Sequence, residues 1–175
     1  MRGSTRALRP GFVLVVVAAW ALAATAVATA QSDREGSVRR PAAKAPLFAV
    51  LRGTKEVGPR GERRAGDPNG RGSFSALIHR DERFCFAITV TGIATPTMAH
   101  IHRGVSGRNG PIVIPLEAPS EGDPGAASGC VESDAKLLKA IRARPARYYA
   151  NVHNGDFPGG AVRGQLFQPN ARQDR

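Results

Sequence analysis

From Leu47 onward, apolar and polar residues alternate with the period of two that a half-buried strand requires. Phe84, Phe86, Ile88 and Val90 alternate with Cys85, Ala87 and Thr89, which predicts a strand with an aromatic and branched core face and Cys85 on the opposite face. Phe74, Ala76 and Ile78 alternate with Ser73, Ser75, Leu77 and His79 in a preceding strand, and polar Arg80 to Arg83 joins the two as a hairpin. Leu47 to Leu51 is a short apolar run suited to another strand. Ile112, Ile114 and Leu116 mark a fourth, and Tyr148 to His153 and Ala161 to Phe167 supply two late ones. Between these runs lie turn-forming segments, among them Asp67-Pro68-Asn69-Gly70 and Gly104 to Pro111, with its Asn109-Gly110 pair. The Gly/Pro/Ser-rich segment after Leu116 reads as a loop leading to Cys130.

One stretch breaks the period of two. Leu137, Leu138 and Ile141 recur at three and four residues, so Ser133 to Ala143 predicts a helix with Ser133 at its cap and Pro145 as its stop. About seven short strands, including one through the histidine pair described below, and a single helix between late strands imply a mainly β fold. The expected architecture is an antiparallel sandwich or barrel; long helical crossovers for a parallel sheet are missing.

The two ends read differently. Arg2, Arg6 and Arg9 precede an uncharged apolar run from Phe12 to Ala30, which ends in Ala28-Thr29-Ala30. That order describes a signal peptide over residues 1–30, cleaved after Ala30, with an uncleaved membrane anchor as the alternative. Residues 31–46 are polar and interrupted by proline, a disordered linker; residues 47–168 form the domain; residues 169–175 are a flexible tail. A secreted, extracytoplasmic location makes a disulfide the simplest reading of the chain's two cysteines, Cys85 and Cys130.

Charge adds a partner class. The formal net charge is +11, and +8 once the three arginines of the leader are removed. Such a balance suits an anionic polymer. The cations are scattered along the sequence without aromatic residues at base-stacking spacing, so no nucleic acid is expected. A membrane enters only if the leader is retained.

The candidate chemistry lies in Ala99-His100-Ile101-His102-Arg103-Gly104. In a strand His100 and His102 share one face, opposite Ile101. If Ile101, Val152, Val162 and Leu166 face the core, then His100, His102, Tyr149, Asn151, His153, Arg163 and Gln165 all project from the other side of the sheet. An ordinary solvated sheet face would give the same parity. Three neutral imidazoles, His100, His102 and His153, are also a donor set for copper or zinc.

Four segments, in order, resemble the CHRD domain, the module named from chordin that also occurs alone in bacterial exported proteins. They are Leu51 to Pro59, Ala99 to Gly104, Asn109 to Val113, and Tyr149 to Asn154 followed by Pro158 to Leu166. The resemblance spans about Leu47 to Phe167 and implies an immunoglobulin-like or superoxide-dismutase-like β-sandwich. It also implies an extracellular binding role. Copper-zinc superoxide dismutases likewise use a His-x-His pair on one strand and a histidine on a late strand, although no His- and Asp-rich zinc subsite follows the pair here.

Two functions follow. The first is an exported, non-catalytic CHRD-type binding or structural module, with an extracellular protein or anionic polymer as partner and no cofactor. Its signature face is His100, His102, Asn151, His153, Arg163 and Gln165, of which the histidines, Asn151 and Arg163 hydrogen-bond to the Gly-rich loops and fix the ends of the sheet. The second is a dismutase-like protein holding copper or zinc on His100, His102 and His153. No Ser-His-acid order, distinctive carboxylate pair or phosphate-binding glycine motif points to another enzyme class.

Overall fold

The structure is a computed structural model and describes residues 45–122 and 125–169. The leader, nearly all of the linker and nearly all of the C-terminal tail lie outside the described residues. Among the described residues, no helix is long and apolar enough to cross a membrane.

Eight strands form one antiparallel sheet. In chain order they are β1 (Leu47–Arg52), β2 (Arg71–Ile78), β3 (Arg83–Thr91), β4 (Pro96–Arg103), β5 (Ile112–Leu116), β6 (Gly125–Glu132), β7 (Tyr148–Asn154) and β8 (Val162–Gln165). A single helix, α1 (Ala135–Ala143), lies between β6 and β7, and short 3-10 turns cover Gly53–Lys55 and Pro145–Arg147. In space the strands run β5-β4-β7-β8-β1-β2-β3-β6. Ile114 of β5 and Phe84 and Phe86 of β3 belong to one continuous buried cluster although five strands separate β5 from β3 in that order. The sheet therefore curls around its own apolar face, the sandwich- or barrel-like solution that period-two patterning demands.

The core alternates as expected. On β3, Phe84, Phe86, Ile88 and Val90 are buried, with Cys85 on the other side. The 3.6-residue period of α1 turns Leu138 and Ile141 inward, and both join the same core.

Two expectations need correction. The segment before Cys130 is not a loop but strand β6, which pairs with β3 from Gly125 opposite Val90 to Glu132 opposite Arg83. Its small residues carry no alternation to read; long-range pairing makes the strand. The helix cap is Asp134, not Ser133: the Asp134 side chain accepts a hydrogen bond of 2.8 Å from Leu137 N.

Strand β6 is an edge strand, and Cys85 and Cys130 sit directly opposite each other on β3 and β6, joined by a disulfide. A link between residues 45 apart removes loop-closure entropy from the unfolded chain. Replacing both cysteines by serine is expected to lower the unfolding free energy by about 2–4 kcal/mol, read from denaturant midpoints; an unchanged midpoint would contradict this.

Candidate functional site

The site begins with strand pairing. β4 pairs with β7 so that His100 faces Asn151, His102 faces Tyr149, and Met98 faces His153. These side chains share the non-core face, since Ala99, Ile101, Ala150 and Val152 fill the core side. Register shifts lie on either side of His100: Thr97 is an extra residue opposite β7, and β5 carries Val113 as an extra residue opposite the Ile101–His102 step. Such bulges re-aim neighbouring side chains.

The three imidazoles then converge. Ring centroids lie 5.6 Å apart for His100 and His102, 5.3 Å for His100 and His153, and 6.3 Å for His102 and His153. One ring nitrogen from each lies within 4.8 Å of those of the other two. Any three points that close lie within about 2.8 Å of a common centre, a small contraction away from the metal–nitrogen lengths of about 2.0–2.1 Å.

Hydrogen bonding fixes the tautomers of two of the rings. His102 Nδ1 lies 3.0 Å from the Gly110 carbonyl oxygen, and His153 Nδ1 lies 3.0 Å from that of Pro158. A carbonyl can only accept, so in the neutral rings both Nδ1 atoms carry the hydrogen and both Nε2 atoms are bare lone pairs. Among the described residues, the buried side-chain nitrogens and oxygens without a hydrogen-bond partner are His100 Nδ1, His102 Nε2 and His153 Nε2. Leaving a buried acceptor unmet costs about 1–3 kcal/mol. Each of the three rings keeps one such buried nitrogen without a partner.

Protonation is disfavoured there. Burial, with the neighbouring His153 and His102 adding to it, pushes the His100 pKa down to about 4. Burial also lowers that of His102, against the Gly110 carbonyl, which favours its charged form. Burial thus favours the neutral form of His100 and His102, open to an electrophile. Three neutral imidazoles suit copper or zinc, and the Nδ1–H bonds to carbonyls are the kind that orient metal-binding histidines.

Around them lies a braced polar layer. Tyr149 stacks on His102 at 4.7 Å with only 9° between the rings, and the Arg163 guanidinium carbon lies 3.4 Å from the Tyr149 ring centroid. Arg163, 2% exposed, donates to Asn109 Oδ1 at 2.9 Å and to the Arg108 carbonyl. Asn109 Nδ2 in turn donates to the carbonyls of Val57 and Gly58, both at 3.0 Å. Gln165 Nε2 holds the Gly104 carbonyl at 2.7 Å. Asn151 donates to Glu56 Oε1. The sheet face that parity alone would leave solvated is therefore largely covered by loops. His79, the remaining histidine among the described residues, is exposed just beyond β2 and outside the cluster.

Two glycines make the covering possible. A Cβ on Gly110 would lie 1.7 Å from the Arg103 carbonyl oxygen, so a side chain there would push the loop off His102. Gly160 has φ +133, and its Cβ would lie 2.6 Å from Glu56 Cδ. Glu56, Asn109 and Gly110 are absent from the face read by parity. They lie in segments that carry the family resemblance, but parity could not place them, because loops escape the period of two.

Glu56 is only 3% exposed, and burial raises its pKa to about 7 despite opposition from Arg163, the Val57 backbone and Asn151. Its folded pKa lies above its unfolded value of 4.5, so the folded state holds a proton that the unfolded state has released in between. Stability relative to Glu56→Gln should therefore fall as pH rises from about 4.5 to 7, by on the order of 3 kcal/mol, and level off above. Paired denaturant titrations across that range test this; parallel curves for the two proteins would contradict it.

Comparison with known proteins adds the family. The model of the CHRD domain matches residues 47–166, which begins at β1, ends just past β8 and contains every residue of the cluster and its bracing layer. No curated protein and no solved structure gives a significant match. The order of segments in the sequence, the eight-stranded antiparallel sheet and the family match agree: the chain belongs to the CHRD domain family.

Proposed function

We propose that this protein is an exported CHRD module that binds one copper or zinc ion through His100 Nδ1, His102 Nε2 and His153 Nε2. The observation that carries the reading is that three imidazoles each bring a ring nitrogen within 4.8 Å of the others, while each also holds a buried ring nitrogen without a hydrogen-bond partner. Loop bracing by itself, the simpler reading, accounts for Nδ1 of His102 and His153 but leaves a buried, unpartnered ring nitrogen on each of the three histidines. Export is supported by the disulfide and by the signal-like order of residues 1–30.

Three protein nitrogens leave a fourth position for water or a small ligand. The stacked Tyr149 and the Gly110 carbonyl act on the site by holding His102 in one tautomer and orientation.

Titration of metal-free full-length protein with Cu²⁺ or Zn²⁺ against a competing chelator should give one ion per chain. His102→Ala should weaken binding by about 100-fold or more while circular dichroism stays native. Equal affinity in that variant, or no ion retained from either metal, would overturn the reading. Gly110→Ala tests the orienting carbonyl separately: an affinity loss of about 10- to 100-fold is expected with all three histidines still present, and an unaltered affinity would remove Gly110 from the account.

A further inference from the structure

A second site lies on the other side of the sheet. Arg103 and Tyr148 face each other across β4 and β7 and have the parity of Ile101 and Ala150, opposite to that of the histidines. Beyond the core at this point is a groove of about 670 Å³, bounded by the end of β4, by α1 and by the 3-10 turn Pro145–Arg147. Its size falls within the range of about 300–1,000 Å³ common to small-molecule sites.

The lining combines two chemistries. Lys136, Lys139, Ala140 and Ala143 follow the i, i+3, i+4, i+7 spacing and form one stripe of α1, while Leu138 and Ile141 turn to the core. Arg103, Arg144 and Arg147 complete a group of five cations with Lys136 and Lys139, and no carboxylate among the described residues lines the groove. The ion pairs found among the described residues, Arg60–Glu62 and Arg83–Asp81, involve none of the five. Between the cations the wall is apolar, made by Val105, Ala140, Ala143 and Tyr148 together with the hydrocarbon stems of the lysines and arginines.

We infer that this groove binds a single-chain anionic amphiphile, of the class of a fatty acid or an alkyl phosphate. Five like charges around one concavity repel one another and raise the local positive potential, which an anionic head relieves. Arginine forks suit carboxylate and phosphate oxygens. A bare anion would leave the apolar wall in water, and a neutral hydrocarbon would leave the cations unmatched. Only a ligand with both parts uses the whole surface. In sequence these cations are spread from Arg103 to Arg147, and the fold brings them together.

The test is calorimetric titration of the full-length chain with dodecyl phosphate below its micelle concentration, beside dodecyl maltoside and inorganic phosphate. One dodecyl phosphate per chain is expected, bound at least about tenfold more tightly than either control. Lys136→Glu combined with Lys139→Glu should weaken binding by about tenfold or more. Ala143→Trp, which keeps every charge and fills the groove, should do the same, whereas Arg71→Glu at the start of β2, opposite Arg52 and Thr91, should change nothing. Inorganic phosphate binding as well as dodecyl phosphate, indifference to Ala143→Trp, or binding only to anionic vesicles and not to the monomeric amphiphile would each overturn the inference.

Discussion

The pairing of β4 with β7 is the constraint on which the rest of the site depends. It sets Ile101, Ala150 and Val152 into the core and by the same register puts His100, His102 and His153 on the opposite face. A one-residue slip would exchange the two sets, burying imidazoles among Phe and Ile side chains and exposing the core residues. Apolar burial, at about 1.5–3 kcal/mol for each large side chain, therefore fixes the geometry of the polar cluster. The histidines need no folding energy of their own to meet.

What the core does not fix is the environment above the sheet. That is supplied by a layer of loops tied to the strands by a few buried polar groups. Arg163 links β8 to Asn109, and Asn109 links the loop after β4 to Val57 and Gly58. Asn151 reaches Glu56 from the same face. Buried polar networks of this kind are costly when incomplete and rigid when satisfied. Among the described residues, the buried side-chain nitrogens and oxygens without a partner are one ring nitrogen each of His100, His102 and His153. Arg163, Asn151 and Asn109 are thus satisfied beside three imidazoles that each keep an unmet atom, the pattern on which the proposed metal site rests.

Much of the fold was legible in the sequence because it rests on local periodicity. The alternation in β3, the three- and four-residue recurrence in α1 and the parity of His100, His102 and His153 all follow from strand and helix geometry. Strand β6 was not legible, since Gly125 to Cys130 carries small residues and becomes a strand only through its pairing with β3. Parity was likewise silent on whether the histidine face would be wet. The answer came from Glu56, Asn109 and Gly110, which lie outside the strands and whose positions depend on close backbone approaches. The anion-attracting groove was hidden for a related reason. Net charge said that cations were abundant, but only the folding of α1 against the end of β4 gathers five of them around one apolar wall.

The central claim is that His100, His102 and His153 are the donors of one metal centre. X-ray absorption at the metal edge of the copper- or zinc-loaded full-length protein tests it most directly. The account predicts three imidazole nitrogens at about 2.0–2.1 Å, with the outer-shell scattering that imidazole rings produce. A first shell dominated by oxygen, or one that keeps its imidazole signal when all three histidines are replaced by alanine, would contradict it.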